Sequence, residues 1–233
     1  MSERRVAMVT GASGGLGRVL VPDLAGDDWD VVLVGSSQSR LDGLVADSGL
    51  DATNVSTIEA DLRDQSAATA AIDAAYDRFG RVDALAHLVG GWTGGMHVGR
   101  SPDDPYRDMI DQHFWTSLNV VRELAPRMID AGFGRIAAVS SPMAAAPEAG
   151  MSAYGVGKAA QETLFRALAQ EVSGTGVTVN VVRVRAIDTS AGAAGSDKAD
   201  ATSPAEISAA IRYLFSDAAR VVNGDHLGLH GGR

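Results

Sequence analysis

Short apolar runs alternate with amphipathic segments along the whole chain, and this alternation restricts the fold more than any other feature. Near-continuous apolar runs are typical of parallel strands that are covered on both faces. The sequence therefore predicts seven buried strands, at Val6–Val9, Val31–Val34, Thr57–Ala60, Ala84–Val89, Ile136–Val139, Val177–Val182 and Leu227–Leu229.

Apolar residues at helical spacing fill the intervals between those runs. They predict helices near Leu16–Leu24, Leu41–Val45 and Ala68–Phe79, longer helices over about 103–131 and 152–173, and a last helix from Pro204, after Ser203. Strands that alternate with helices and cross over with a right hand build a doubly wound sheet. We predict an α/β fold, a parallel seven-stranded sheet with helices on both faces. A chain of 233 residues without repeat or linker predicts one domain over residues 1–233.

Charge and residue counts exclude several classes of protein. The formal net charge is −9 at pH 7, whereas nucleic-acid binding requires clustered Lys and Arg against phosphates. We expect no nucleic-acid partner. The absence of cysteine excludes disulfides and thiolate-held metals. The histidines lack the spacing of metal ligands, so we predict no metal site; they are His87, His97, His113, His226 and His230.

The apolar runs are also too short for a membrane-spanning helix, which requires ~18 residues, so we expect no membrane partner. Residues Ser2–Arg5 lead directly into the first strand, and that stretch is too short for a signal-peptide core. We therefore expect a cytoplasmic protein that acts on a small-molecule substrate.

A glycine-rich turn directly follows the first strand and opens into a helix. Glycines allow a tight turn and let backbone N–H groups approach a pyrophosphate at the positive end of the helix. Because strand and helix flank the turn at the start of the domain, we predict a dinucleotide site on a Rossmann fold. The candidate phosphate-binding residues are Gly11, Ser13, Gly14, Gly15, Leu16 and Gly17.

Tyr154 and Lys158 lie four residues apart, on one face of a predicted helix. A free phenol has a pKa of ~10, and a neighbouring ammonium lowers that pKa toward neutrality. Tyr154 and Lys158 therefore predict an acid–base site. Ser141 lies thirteen residues before Tyr154, just past a strand end.

The order and spacing of four features resemble the short-chain dehydrogenase/reductase family: the turn Thr10–Gly17, Ser141, Tyr154 and Lys158. The resemblance implies that Tyr154 donates or accepts a proton, that Lys158 holds the nicotinamide ribose and lowers the Tyr154 pKa, and that Ser141 orients the substrate oxygen. Asp61 and Leu62 resemble the adenine-binding pair, although Asp61 could also cap a helix. Further implied cofactor contacts are Val89, Gly90, Ile187 and Thr189.

The chain departs from the family pattern in four places. Residues His87–Gly90 replace the family's Asn-Asn-Ala-Gly after the fourth strand. We expect this change to affect the structure of the sheet before it affects the chemistry. His113 falls where the family has the Asn of its proton relay; it could relay protons near pH 7 or simply pack there. Val184-Arg185 replaces Pro-Gly, which could put Arg185 on one face with Arg183, near a substrate carboxylate, or leave it solvated. Only residues 190–203 separate Thr189 from the last helix, so we predict a short substrate lid.

Three stretches resemble the dihydropteridine-reductase-like branch: residues 90–95, 114–117 and 150–155. Ser141 favours a carbonyl reducer instead, because that branch lacks the serine. The leading hypothesis is an NAD(P)(H)-dependent oxidoreductase of a carbonyl/alcohol pair. The alternatives are a reductase of a quinonoid dihydropterin or imine-type ring, and a redox-inactive nucleotide sensor, which the intact Tyr154 and Lys158 disfavour.

Ser36 follows the second strand, at the position where NAD-specific folds carry an acid for the ribose 2′-OH. Because Ser36 does not repel a 2′-phosphate, we predict NADP(H), with NAD(H) also possible. The two long helices carry enough apolar residues to serve a partner as well as the sheet: Val120, Leu124, Leu164 and Leu168. We therefore predict a homotetramer or homodimer with self-complementary interfaces.

Overall fold

The protein is described by a computed structural model, which covers residues 4–188 and 201–229. Its strands are Arg5–Thr10 (β1), Trp29–Gly35 (β2), Val55–Glu59 (β3), Ala84–His87 (β4), Gly134–Ser140 (β5), Val177–Arg183 (β6), Ala186–Ile187 (β7), Ala201–Thr202 (β8) and His226–Gly228 (β9). Its α-helices are Gly17–Gly26 (α1), Gln38–Ser48 (α2), Gln65–Phe79 (α3), Asp104–Ile110 (α4), Thr116–Asp130 (α5), Ser152–Glu171 (α6) and Pro204–Phe215 (α7).

Seven of the strands form one sheet in the order β3-β2-β1-β4-β5-β6-β9. Every pair in this sheet is parallel. The predicted α/β Rossmann fold is therefore confirmed. The chain passes from β1 outward to β3 and then returns to β4 on the other side of β1. A crevice opens at such a reversal, at the carboxyl ends of the strands, and ligands of this fold bind there.

The helices cover both faces of the sheet, as predicted. Helices α3, α5 and α6 bury side chains such as Ile72, Leu124 and Phe165 against one face. Helices α1, α2 and α7 bury Leu20, Leu41 and Ile211 against the other. Because side chains of the central strands are buried on both faces, these strands contain hardly any exposed polar positions.

The segment predicted as one helix over about 103–131 contains a π-helical turn. The turn Asp111–Trp115 lies between α4 and α5 and continues both. A π turn inserts one residue into the helical repeat, and apolar spacing in the sequence does not reveal it. His113 lies in this turn and is fully buried.

Two helix starts test the sequence interpretation. Helix α7 begins at Pro204, after Ser203, as predicted, and Ser203 forms a capping box with Glu206. The alternative reading of Asp61 as a helix cap is wrong, because Asp64 caps α3 and accepts hydrogen bonds from Ser66 N at 2.7 Å and Ala67 N at 3.2 Å. None of the helices in the described ranges is long and apolar enough to cross a membrane.

The small parallel pair β7 and β8 was not expected from the sequence. These strands flank the segment 189–200, so the predicted nicotinamide contact at Thr189 and most of the predicted lid over residues 190–203 lie outside the described residues.

Candidate active site

The glycine-rich turn after β1 is shaped by close backbone contacts. Gly11 has a φ of +72°, and a Cβ at this position would lie 3.0 Å from Leu88 C and Val89 N. Its N–H donates to Val34 O at 2.9 Å. A Cβ on Gly17 would lie 1.9 Å from Ala12 O. Both positions therefore exclude a side chain, and the turn stays tight against β2 and β4.

A cavity of about 340 Å³ lies beside this turn. It brings together most of the predicted adenosine and phosphate contacts, namely Gly11, Ser13, Gly14, Ser36, Asp61, Leu62, Val89 and Gly90. Arg40, Arg63, Gln112 and Thr116 also line it. Of the remaining predicted residues, Gly15 is exposed, whereas Leu16 and Gly17 are buried in the turn.

Asp61 makes a two-pronged ion pair within this cavity. Arg63 Nε donates to Asp61 Oδ1 at 2.9 Å, and Arg63 Nη2 donates to Oδ2 at 2.6 Å. The guanidinium holds the pKa of the Asp61 carboxyl below its usual value. The sequence analysis did not identify Arg63 as a residue of this cavity. Its position two residues after Asp61 was the signal that could have indicated it.

A second cavity, of about 600 Å³, continues along the carboxyl edge of the sheet and shares Val89 and Gly90 with the first. The predicted site residues His113, Tyr154, Lys158 and Ile187 line it, and so do Trp92 and Arg185. Two adjacent cavities, one beside a glycine turn at a helix start, have the arrangement that a dinucleotide requires. The residues present therefore fit a nicotinamide dinucleotide.

Tyr154 is partly buried at this cavity. Burial raises the pKa of its phenol, and a hydrogen bond with Ser141 acts in the opposite direction. Ser141 is itself buried, and its Oγ accepts from Met143 N at 3.3 Å. Ser141 is the neighbour that lowers the Tyr154 pKa in the structure, whereas the Lys158 ammonium hydrogen-bonds other groups. That Lys158 also lowers this pKa stays a prediction.

Lys158 is 5% exposed. Its Nζ donates to Val139 O at 2.9 Å and to Gln161 Oε1 at 3.0 Å. Burial lowers the pKa of the ammonium to about 7, while the Glu162 carboxylate acts to raise it. A lysine with this pKa changes its charge within the physiological pH range.

His113 is uncharged near pH 7 in the structure, which favours the alternative that it packs there over a relay that changes charge. Burial, and then the charge of Lys158, lower its pKa to about 3. Its Nε2 lies 3.1 Å from Gly91 O, which accepts only, so Nε2 carries the proton. Its buried Nδ1 has no hydrogen-bond partner among the residues that the structure describes.

Arg183 and Arg185 have different surroundings, and the strand on which a shared face would depend does not continue to Arg185. β6 ends at Arg183, whose guanidinium pairs with both oxygens of the buried Glu162, with Nε at 2.8 Å from Oε1. Arg185 lies beyond the strand end and lines the larger cavity. Glu162 is buried on α6 and therefore requires a cationic partner, which Arg183 provides.

Gln161 and Glu162 are the polar residues of this region that sequence reasoning missed. Both are almost completely buried on α6. They follow Lys158 by three and four residues, and this spacing puts them on its helix face. Polar residues on a face that must be buried were the signal.

Comparison with known proteins gives the family. The family model for short chain dehydrogenase matches residues 5–200. Acetoacetyl-CoA reductase of Acinetobacter sp. (strain RA3849) is 29% identical over 245 residues, covering 100% of this chain and 98% of that protein. The 3-oxoacyl-(acyl-carrier-protein) reductase of Escherichia coli (strain K12) is 27% identical over 241 residues, covering 99% and 97%.

Among solved structures, NAD+-bound xylitol dehydrogenase has the same fold, with a TM-score of 0.86, 20% sequence identity and coverage of 100% of both chains. The family match extends over most of the chain, and the sheet order is that of a Rossmann fold. This chain belongs to the short-chain dehydrogenase/reductase family and is a nicotinamide-dependent oxidoreductase.

Proposed function

We propose that the protein, acting as a single domain, reduces a carbonyl to an alcohol, or oxidises that alcohol, at Ser141, Tyr154 and Lys158. One observation carries the proposal: the Tyr154 phenol and the Lys158 side chain line the same cavity, and Ser141 is hydrogen-bonded to that phenol. The two curated relatives described above are by name reductases of 3-oxoacyl thioesters. Their names suggest a ketone next to an activated acyl group as the first substrate class to test.

The residues have distinct tasks in reduction. A reduced nicotinamide, when bound, supplies the hydride. Tyr154 donates its phenolic proton to the carbonyl oxygen, which becomes the alcohol. Ser141 lies beside the phenol and offers its hydroxyl to the same oxygen. Lys158 places a positive charge in the same cavity as the phenol, which stabilises the phenolate that remains after the proton has left.

For the cofactor we favour NADP(H), with NAD(H) also possible. Ser36, Arg40 and Arg63 line the cavity beside the glycine turn. A neutral serine leaves room for a 2′-phosphate and two guanidiniums can donate hydrogen bonds to it, whereas an acid at position 36 would repel it. Arg63 is engaged with Asp61, so Arg40 is the first candidate partner of the phosphate.

The proposal is tested by following nicotinamide absorbance with a panel of 3-oxoacyl thioesters, simple ketones, quinones and a quinonoid dihydropterin. We expect NADPH oxidation with ketones that is abolished in Tyr154→Phe. Turnover of the dihydropterin alone would favour the ring-reductase alternative. Tight cofactor binding with no turnover of any compound would favour the nucleotide sensor.

A further inference from the structure

The Lys158 ammonium is held by two fixed acceptors. Val139 O, at the end of β5, accepts at 2.9 Å, and Gln161 Oε1, one turn along α6, accepts at 3.0 Å. An ammonium has three N–H donors. Two are used by residues 4–188 and 201–229, which leaves one for a ligand in the cavity that Lys158 lines. The two acceptors therefore determine where the third N–H points.

The orientation of the Gln161 amide follows from a chain of hydrogen bonds. Ser117 Oγ lies 2.6 Å from His113 O, which only accepts, so the Ser117 hydroxyl donates to it. Ser117 Oγ then accepts from Gln161 Nε2 at 3.0 Å. With its nitrogen bound there, the amide must turn its oxygen toward Lys158. The backbone of the π-helical turn thus sets the acceptor that Lys158 meets.

The two side chains in this series of hydrogen bonds are fully buried: Gln161 and Ser117 are each 0% exposed. A buried amide is costly unless its hydrogen bonds are made, and an apolar side chain of similar size would fill the same position without a network. The network satisfies the amide at both ends and connects it to a residue of the active site. The burial of Gln161 and the orientation of its amide both indicate that this residue acts on Lys158.

We propose that Gln161, oriented by Ser117, is a positioning residue that holds the Lys158 ammonium and directs its free N–H into the cavity. The proposal rests on the proposed function for the part that Lys158 plays in turnover, but not for the hydrogen bond itself. Gln161 stabilises the protonated lysine against its burial, because a charge-assisted hydrogen bond favours the charged form.

Other charged or titratable groups near the ammonium also set its charge state. Glu162 raises the pKa of Lys158, but its carboxylate is already paired with Arg183 and lies 3.4 Å from His226 Nε2. The remaining neighbours that face Lys158 are neutral at pH 7 or bear no opposite charge: His87 on β4, His113 on the π-helical turn, and Tyr154 on α6, with Arg185 on the same cavity.

The test measures the Lys158 pKa directly in the protein without ligand. The chain has two lysines, Lys158 and Lys198, so ¹³C-lysine labelling gives two side-chain signals and Lys198→Arg assigns them. We expect Gln161→Leu to lower the Lys158 pKa by about one unit, through loss of a charge-assisted hydrogen bond. Gln161→Glu should raise it by about one unit or more, because a carboxylate replaces the amide.

Ser117→Ala should lower the Lys158 pKa as well, because the amide is then free to turn its NH₂ toward the ammonium. Gln170→Leu, at an exposed position of the same helix, is the matched control and should change nothing. Opposite shifts in the leucine and glutamate variants distinguish positioning from a general loss of packing. Wild-type titration in both variants, or shifts in the same direction, would overturn the proposal.

The kinetic arm separates this inference from the proposed function. The rate should fall as Lys158 loses its proton, with the high-pH limb moved down in Gln161→Leu and up in Gln161→Glu. If Lys158→Met keeps full turnover, the proposed role of Lys158 is wrong, while the titration still decides whether Gln161 holds the ammonium. If the titration shows no shift and Lys158→Met is inactive, only the inference fails.

Discussion

The imidazole of His113 stands edge-on to the phenol of Tyr154, with ring centroids 5.6 Å apart and ring planes at 76°. The contact is made from a π-helical turn, and Nε2 of the same ring is anchored to Gly91 O. Because the pKa of His113 is about 3, the ring meets the phenol as a neutral group. It packs against the Tyr154 phenol instead of exchanging charge with it near pH 7.

Tyr154→Phe should lower kcat by about two to four orders of magnitude, because it removes the proposed proton donor. The aromatic ring and its contact with His113 remain, so cofactor affinity should change little. Steady-state kinetics and a cofactor titration measure both. Tyr213→Phe, at a half-exposed position on α7, is the control and should keep wild-type turnover. A Tyr154→Phe enzyme with more than a tenth of wild-type kcat would contradict the assignment.

His113→Asn should flatten the dependence of stability on pH. At pH 5 a histidine with the ordinary pKa of 6.5 is protonated in the unfolded chain, whereas folded His113, with a pKa of about 3, stays neutral. The contribution of His113 to the free energy of unfolding therefore rises with pH between about 3 and 6.5. At pH 5 the free energy of unfolding is about 2 kcal/mol lower than it would be if the folded His113 had the ordinary pKa.

The free energy of unfolding, from urea titrations at pH 8 and pH 5, checks this. The difference between the two values should be about 2 kcal/mol smaller in His113→Asn than in the wild type. His97→Gln, at an exposed position, should leave the difference unchanged. An equal difference in all three proteins would mean that His113 is not held neutral.

Local sequence patterns were sufficient for the fold. Each central strand is short, apolar and covered on both faces, so its composition alone indicates a parallel strand, as for Val31–Val34 within β2. The glycine turn could also be identified, because Gly11 and Gly17 are required by contacts within a few residues or with the next strand. The Ser203 cap is local as well.

Features that depend on tertiary contacts could not be predicted. The π-helical turn that orients His113 has no signature in apolar spacing. The partner of Lys158 at Val139 O is a backbone atom of another element, which no side-chain motif announces. The pKa of His113 depends on burial, which a sequence shows only indirectly. The fold was therefore accessible from sequence, and the electrostatics of the site were not.

Gly17→Ala should destabilise the protein, because its Cβ would lie 1.9 Å from Ala12 O and force the turn apart. We expect a loss of about 1–3 kcal/mol in the free energy of unfolding, together with weaker dinucleotide binding. Gly26→Ala, at the other end of α1, meets no atom within 4 Å. It should be neutral or stabilising by up to about 1 kcal/mol. Equal stability of the two variants would refute a steric role for Gly17.

Ser36→Asp should weaken NADPH binding at least tenfold, which corresponds to about 1.4 kcal/mol, and leave NADH binding unchanged or tighter. The carboxylate would repel a 2′-phosphate and accept hydrogen bonds from a 2′-OH. Dissociation constants for both reduced cofactors decide the matter. Ala46→Asp, at an exposed position near the far end of α2, controls for the added charge. Wild-type binding of NADH tenfold tighter than NADPH would contradict the preference itself.

An apolar groove between α5 and α6 is the surface through which we expect two copies of the chain to associate. Two of the residues expected to serve a partner do not face it: Val120 and Leu124 are 0% exposed and belong to the core against the sheet. The groove instead has a volume of about 320 Å³ and is lined by Leu118, Val121, Ala125, Pro126, Ile129, Leu164, Ala167 and Leu168, with Arg122 and Glu171 beside them.

Leu164→Glu should convert the oligomer to a monomer with the 24.1 kDa mass of the chain. In a two-fold interface each copy presents the same groove, so one substitution buries two carboxylates against apolar surface at once. Light scattering coupled to size exclusion measures the mass, and Ala46→Asp should keep the wild-type value. A wild-type monomer at micromolar concentration would end the prediction of an oligomer. A Leu164→Glu protein with the full oligomeric mass would show that copies associate through another face.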